Sequence, residues 1–481
     1  MRGGNRAAPP RAEGVGAVQR TNVAGSSISG FNDLLAEFDA VAGKAYVSTH
    51  ELETSLRGLY SALFETGFAN ADPAEVAEAA PRLMHGLFAA RMRMRDRIGE
   101  WKEAGLLARP AEIALRNVFR ITRNASDMLG EVASGNARLA PGEKSARGFS
   151  GRNWNTLVHP AYADGRNIPF QSGDLLLMRG SAHNSAAIAR IGDVDSQFSH
   201  IAIIYIDPNG QNWVVEALIE DGSVINTLED VLHHGLGRAV LYRSKDPAVA
   251  ARAAKLAYDR IHATKTGEAR HIPYDFTMRL KGRRTLFCAK LVSQAYADAT
   301  GGDLQLPMFK TRFDKRNKAF FKSIGVRAKE TFAPGDIDLD PRFDLVAEWQ
   351  DYRLTPGLRR QDMVMTKFFE WMETRGYKFK ETLFVTLIAV FGRLSSYLSD
   401  RSKALIASAM PKVPRNMSRA CVATIVMLHK SAEEVMPALT ALDEDSVKMT
   451  GFPLHPRDML VHLEKLREVS GGQIGYLRGK V

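Results

Sequence analysis

The sequence contains few cysteines and no long apolar segment. Only Cys288 and Cys421 are cysteine among 481 residues. This excludes a disulfide framework and a structural zinc site, because such a zinc site needs about four clustered ligands. The most apolar stretch, residues 383–391, is shorter than the roughly 20 residues that a membrane-spanning helix requires. Neither a phosphate-binding Gly-Lys-Ser/Thr loop nor a dinucleotide-binding glycine pattern occurs. We therefore expect no transmembrane segment, no cofactor and no bound metal.

Acidic residues are fewer than basic ones. The 65 Lys and Arg against 54 Asp and Glu give a formal net charge of +11. This excess favours anionic partners in general, such as nucleic acid, anionic lipid, cell-wall polymer or acidic peptide, and selects none of them. An anionic surface or lipid is kept as one candidate partner, and no specific nucleic acid is predicted. The sequence begins with Arg2, Arg6 and Arg11 among glycines, alanines and prolines, and lacks the apolar region of a secretory signal. We expect a cytoplasmic protein, or one exported by a non-classical route.

Composition divides the chain into five segments. Residues 1–30 have almost no large apolar side chains and are predicted to form a disordered tail. Residues 31–134 carry apolar residues at helical spacing and are predicted to be a helical region. A glycine- and proline-containing linker follows over 135–170. Residues 171–335 are assigned to a mixed domain, and residues 340–481 to a helical C-terminal domain.

Four arginines alternate along one predicted helix of the first helical region, at Arg91, Arg93, Arg95 and Arg97. A step of two residues spreads side chains around a helix, so these arginines do not form one stripe. The pattern favours a solvated helix face over a nucleic-acid surface.

The character of the chain changes over residues 171–310. Short β-type runs occur at 175–178, 201–206, 213–218 and 239–242, and helical patterns follow at 247–264 and 288–299. Strands that precede helices, rather than alternating with them, indicate an α+β fold with an antiparallel sheet.

Two of these runs flank the sequence Asp-Pro-Asn-Gly at 207–210, which is typical of a three-residue hairpin loop with a bulge. If Asp207 pairs with Gln211, His200 and Glu216 become diagonal neighbours on one face of the hairpin. A carboxylate in this position can orient an imidazole. A register slip of one residue would place the two side chains on opposite faces.

Cys288 lies where a helix is predicted to begin, after a basic loop at 279–284. The helix dipole and the nearby cations favour a thiolate at such a position. Thiolates are nucleophiles in acyl transfer when a histidine handles the proton and a third polar group orients that histidine. Cys421 lies among apolar residues at helical spacing and is predicted to be buried helix core.

The order of these motifs resembles the circularly permuted NlpC/P60 cysteine hydrolases, in their YiiX/YebB-like branch. The motifs are Gly-Asp-Leu at 173–175, Ser-His-Ile-Ala-Ile at 199–203, Glu-Ala at 216–217, Tyr-Asp-Phe at 274–276 and Phe-Cys-x-x-Leu-Val at 287–292. The resemblance covers roughly residues 171–300. It implies a permuted papain-like core with flanking all-α regions. In this branch the histidine precedes the cysteine, as it does here.

The resemblance also implies roles for individual residues. Cys288 matches the nucleophile, His200 the general base and Glu216 the orienting residue. Ser199, Tyr274 and Asp275 are assigned to substrate binding. The sequence departs from many relatives directly after the nucleophile, where Ala289-Lys290 stands in place of Ser-Glu, and this departure bears on substrate choice more than on catalysis.

The resulting interpretation is a thiol hydrolase that cleaves an amide bond, in a peptide or cell-wall-type peptide, through a thioester. Two alternatives stay open. The same fold could serve an acyltransferase or lipid hydrolase acting at an anionic surface. The papain-like core could also be a non-catalytic binding scaffold.

Overall fold

The structure is a computed structural model that describes residues 28–66, 71–138, 155–163, 168, 170–190, 192–233, 235–313, 317–395 and 413–479. Most of the predicted tail, 1–30, lies outside the described residues. Its last three residues, 28–30, differ from the prediction because they form the start of the first helix.

The first part of the chain is helical. The helices are α1 (Ile28–Gly43), α2 (Thr49–Glu65), α3 (Pro73–Asp96), α4 (Ile98–Glu103) and α5 (Arg109–Ala133). Local signals account for several ends: Ser48 and Asp72 cap α2 and α3, and prolines occupy early positions of α3 and α5.

A seven-stranded antiparallel sheet forms the centre of the described chain. Its strands are β1 (Thr156–Val158), β2 (Leu175–Gly180), β3 (His200–Ile206), β4 (Asn212–Leu218), β5 (Gly222–Thr227), β6 (Leu236–Ser244) and β9 (Phe343–Gln350). They lie in the order β1-β9-β6-β2-β3-β4-β5. All the pairings are antiparallel.

Two of these strands correct the predicted segment limits. Strand β1 lies inside the predicted linker 135–170 and pairs with β9. Strand β9 lies beyond residue 335, in the stretch assigned to helices, and pairs with β6. The sheet therefore extends past both ends of the predicted mixed domain, because strands distant in sequence complete it.

Helices and short strands surround the sheet. The helices are α6 (His183–Ala189), α7 (Leu228–Leu232), α8 (Pro247–Lys265), α9 (Cys288–Ala299), α10 (Lys318–Ser323), α11 (Thr355–Thr374), α12 (Leu383–Ser395), α13 (Arg419–Thr450) and α14 (Pro456–Val469). The short strands are β7 (Thr311–Arg312), β8 (Glu330–Thr331), β10 (Lys378–Phe379), β11 (Gln473–Ile474) and β12 (Leu477–Arg478). Two 3₁₀ turns cover Pro160–Tyr162 and Pro334–Leu339.

The hairpin between β3 and β4 has the predicted register. The Asp207 N–H donates to the Gln211 carbonyl at 3.1 Å, and Ile203 pairs with Val215. Gly210 has a φ of 81°, a left-handed conformation that glycine adopts without strain. This register places His200 and Glu216 on the same face.

The Gly-Asp motif holds α9 against the sheet. Gly173 has a φ of 95°, and a Cβ at this position would collide with Ala250 of α8. The Tyr296 hydroxyl of α9 donates to the Gly173 carbonyl at 2.8 Å. The Asp174 carboxylate accepts from Arg243 at 2.7 Å, where both side chains are buried. The helix that starts at Cys288 is thereby fixed relative to β2 and β3.

The arginines of α3 are not all solvated, contrary to the prediction. Arg91 and Arg95 lie four residues apart on one face and are buried, whereas Arg93 is an exposed partner of Asp39. Arg91 pairs with Glu348 of β9, and Arg95 donates to the Phe343 carbonyl at 2.6 Å. Residues four positions apart lie on the same face of a helix, so Arg91 and Arg95 share the buried face of α3 while Arg93 does not.

Helix α5 ties the first helical region to the sheet through further buried ion pairs. Arg123 contacts Asp338 at 2.6 Å and Glu348 at 2.8 Å. Arg116 contacts Asp336 at 2.7 Å. One hydrophobic core runs from α1–α5 to the inner face of the sheet, α8 and α9. The first helical region and the sheet are therefore packed as one body around α5.

Within the described residues, every helix is too short or too polar to cross a membrane.

Candidate active site

His200 and Glu216 meet at the start of the hairpin. His200 is the first residue of β3, and Glu216 lies near the end of β4. The His200 Nε2 atom lies 2.6 Å from Glu216 Oε2. The Glu216 side chain is only 4% exposed, while that of His200 is 18% exposed. A buried carboxylate therefore holds an imidazole that solvent still reaches.

Asn226 of β5 hydrogen bonds to the Glu216 oxygen that does not contact His200. Its side-chain amide donates to Glu216 Oε1 at 2.7 Å. The register explains this contact, because Asn226 pairs with Val214, two residues before Glu216 on the same face. Asn226 is not among the predicted site residues, although extending the predicted hairpin by one more strand would place it beside Glu216.

The Cys288 thiol completes the cluster, because it lies close enough to His200 to interact with the imidazole electrostatically. Burial lowers the pKa of His200, but the interactions with Cys288 and Glu216 outweigh burial and raise the pKa to about 10. The imidazolium form is thus favoured at neutral pH. The interaction of Cys288 with His200 joins two residues that lie nearly ninety positions apart in the sequence.

Cys288 is the first residue of α9, and the residue before it, Phe287, gives no side-chain cap. The first N–H groups of a helix have no acceptor within the helix itself. The N–H of Cys288 is therefore available to bind negative charge that develops next to the sulfur.

The second cysteine has a different environment. Cys421 lies in the first turn of α13, buried among apolar residues as predicted. Burial raises the pKa of its thiol to about 12. Thiolates are the reactive form of cysteine, so Cys421 is an inert internal reference for Cys288.

Tyr274 lies close to Cys288. The residues Tyr274 and Leu286 form an isolated bridge, which brings the 273–275 segment beside the approach to Cys288. The tyrosine is buried, and burial together with the nearby Cys288 raises its pKa. Its hydroxyl therefore stays protonated and able to donate a hydrogen bond. The substrate-binding role of Tyr274 stays a prediction.

Asp275 has a partner that the sequence analysis did not foresee. Its carboxylate accepts from Lys290 Nζ at 2.7 Å, and both side chains are buried. Its second oxygen accepts from the Thr277 hydroxyl at 2.6 Å. The Ala-Lys pair after Cys288 thus supplies a cation that neutralises Asp275. A direct substrate contact by Asp275 would compete with these bonds.

Ser199 is buried next to His200. The Gly180 N–H donates to its hydroxyl at 3.4 Å, and its own N–H donates to the Met178 carbonyl at 3.0 Å. These bonds fix the backbone that carries His200. The predicted contact of Ser199 with substrate stays a prediction.

Asn416, just before α13, also contacts the site segment. Its amide donates to the Tyr274 carbonyl at 2.6 Å. Nothing in the local sequence predicts this contact, because 142 residues separate the two positions. Among the residues that the structure describes, no group of three or more His, Cys, Asp or Glu could hold a metal ion.

Comparison with known proteins finds a family match over the segment that carries this cluster. Residues 169–346 match a family described as permuted papain-like amidase enzymes, the YaeF/YiiX, C92 family. No curated protein and no solved structure matches the chain. The matched range contains Cys288, His200 and Glu216 and ends within β9. Residues 169–346 are therefore similar to the permuted papain-like amidases of the YaeF/YiiX branch.

Proposed function

We propose that the protein is a cysteine hydrolase that cleaves an amide bond in a peptide or cell-wall-type peptide. The observation that carries this proposal is the 2.6 Å contact of Glu216 with His200, whose pKa the neighbouring Cys288 also raises. The match to a family of amidases supports amide hydrolysis in general. We further propose that the domain has an NlpC/P60-type core. Its predicted limits, 171–335, are extended in this proposal to include strands β1 and β9.

The reaction begins with His200 holding the proton of Cys288. The sulfur attacks the substrate carbonyl carbon, a C–S bond forms, and the carbonyl electrons move to oxygen. The Cys288 N–H donates to this oxyanion, and we assign the neutral Tyr274 hydroxyl as a second donor. Glu216 stabilises the imidazolium throughout, as the third member of a triad does.

Collapse of the tetrahedral intermediate breaks the C–N bond. His200 gives its proton to the leaving amine, and a thioester to Cys288 remains. Neutral His200 then takes a proton from water, whose oxygen attacks the thioester. Breaking the C–S bond releases the carboxylic acid, and the proton on His200 restores the starting pair. Each step uses a group that lies within the cluster.

Covalent capture tests the nucleophile. The full-length protein, Cys288→Ala and the matched control Cys421→Ala are incubated with a peptide acyloxymethyl ketone, and adducts are counted by intact-protein mass. We expect one adduct on the wild type and on Cys421→Ala, and none on Cys288→Ala. Equal labelling of all three proteins, or labelling of none, contradicts the proposal and favours a non-catalytic scaffold.

Turnover tests the bond that is cleaved. We expect release of amine from soluble γ-D-glutamyl peptides without added vesicles. Activity that appears only with lipid vesicles, and that transfers or releases acyl chains, supports the acyltransferase or lipid hydrolase alternative instead.

A further inference from the structure

Helix α12 (Leu383–Ser395) presents a face of large apolar side chains to solvent. Leu383 is 85% exposed, and Phe384 and Phe391 are each 62% exposed. Leu387, Val390 and Leu394 continue the same face at helical spacing. No described part of the chain covers these side chains. Contiguous apolar patches of this kind mark interaction sites.

The opposite face of α12 is anchored in the protein. Val385 and Ala389 are fully buried and belong to one apolar cluster with Cys421 and Met427 of α13. The helix is therefore held in place by packing on α13. The outer face of α12 is also apolar, but the side chains on that face do not take part in the core.

The chain around this face is strongly basic. In the sequence, residues 375–419 contain nine Lys and Arg against two Asp and Glu. The described residues among them, 375–395 and 413–419, contain six Lys and Arg against Glu381 alone. Lys378 and Lys380 precede α12 and are exposed. Arg415, four residues before α13, and Arg419, its first residue, are also exposed. Glu381, one of the two acidic residues, is already paired with Arg419.

We propose that the exposed face of α12 docks the protein on an anionic lipid bilayer. An apolar helix face with Leu and Phe, bordered by Lys and Arg, is the pattern of helices that lie in the membrane interface. A helix of 13 residues is about 20 Å long, which suits a position in the plane of the interface but not a crossing. The cations add attraction to anionic headgroups.

A second copy of the chain is the less suitable occupant. In a two-fold dimer the same surface patch meets itself, so the basic border of one copy would face the basic border of the other. Like charges opposed across an interface cost affinity. An anionic lipid surface, in contrast, complements both the apolar face and its charge.

The docking face is connected to the active site. Phe276, two residues after Tyr274, packs against the cluster that contains Val385 and Cys421. Asn416 bonds the Tyr274 carbonyl at 2.6 Å. Docking through α12 would therefore hold the Tyr274 side of the site close to the lipid. The binding inference itself does not depend on hydrolysis.

Vesicle co-sedimentation of the full chain tests the proposal. The vesicles are phosphatidylcholine alone or mixed with phosphatidylglycerol. The test variant is Leu387→Glu with Phe391→Glu, and the matched control is Met449→Glu with Val469→Glu, two apolar residues that are exposed elsewhere. We expect the wild type and the control to bind the anionic vesicles, more weakly as salt rises. The test variant should bind at least about tenfold more weakly, because two large apolar side chains no longer enter the interface.

Equal melting temperatures of the two double variants show that loss of binding is not loss of folding. Cys288→Ala should bind like the wild type, so that failure of the hydrolase proposal leaves this one intact. The proposal is overturned if the wild type does not bind, if it binds neutral vesicles equally well, or if the α12 variant binds like the control. A wild-type dimer that Leu387→Glu with Phe391→Glu converts to monomer also overturns it, in favour of a second copy.

Discussion

His200 Nε2 lies 2.6 Å from Oε2 of Glu216, sixteen residues away across a hairpin. The contact engages one ring nitrogen of the imidazole, and the nearby Cys288 side chain also interacts with the ring electrostatically. The order carboxylate, imidazole, thiol is the arrangement of a triad in which the third residue orients the base.

Replacing Glu216 should lower activity and shift its pH dependence. The pKa of His200 is raised to about 10, so the imidazolium and the activity that needs it persist at neutral pH and decline as pH rises through that value. Glu216→Gln removes the negative charge, so the alkaline limb of kcat/KM should move down by about 1–3 pH units. The exposed Glu268→Gln is the control. An unchanged alkaline limb in Glu216→Gln would contradict this role.

Asn226 should act as a positioning residue. Asn226→Ala removes the donor to Glu216 Oε1, and loss of a hydrogen bond to a charged group is worth about 1.5–3 kcal/mol. We expect kcat to fall about tenfold or more with little change in KM. Asn209→Ala, at the exposed tip of the hairpin, should match the wild type. A rise in KM with unchanged kcat, or no change in either, would contradict a role of Asn226 in positioning Glu216.

The Lys290–Asp275 pair should contribute to stability. Lys290→Met leaves the buried Asp275 carboxylate without its cation and should lower the free energy of unfolding by about 3–5 kcal/mol. Adding Asp275→Asn should recover part of this loss, because the uncompensated charge is then gone. Urea unfolding measures both variants, with the exposed Lys281→Met as control. Equal stability of Lys290→Met and the control would show that the pair is dispensable.

The sheet should not fold without the first helical region. A fragment of residues 155–350 lacks Arg123, which neutralises the buried Asp338 and Glu348, and it lacks the apolar surface of α1–α5. We expect no cooperative thermal transition for this fragment, measured by circular dichroism beside the full chain. A fragment that melts cooperatively and binds the acyloxymethyl ketone would contradict the shared core.

Much of the site could be predicted from the sequence because it depends on local signals. The Asp-Pro-Asn-Gly turn fixed the hairpin register, and with it the meeting of His200 and Glu216. The apolar periodicity after residue 287 predicted a helix that starts at Cys288, as the structure has it. In both places turn chemistry and side-chain periodicity favour the same structure.

The remaining features depend on contacts between distant segments. Strands β1 and β9 complete the sheet from positions that composition assigned to a linker and to helices. From the sequence alone Arg91 has the character of a surface residue, and only its contact with Glu348 of β9 explains its burial. Asn416 reaches Tyr274 only because α13 packs against the site segment. No local pattern encodes such pairs, since each depends on tertiary packing.

The central claim is that His200 activates Cys288. It is tested most directly by the rate of iodoacetamide alkylation at each cysteine between pH 5 and pH 9. These pH values lie below and above the ordinary pKa of histidine. Peptide mass spectrometry follows Cys288 and Cys421 in the wild type and in His200→Ala. We predict that Cys288 reacts at least about a hundredfold faster than Cys421 at the acidic end, and that His200→Ala removes this advantage. Equal rates at the two cysteines, or an advantage that survives His200→Ala, would contradict the account.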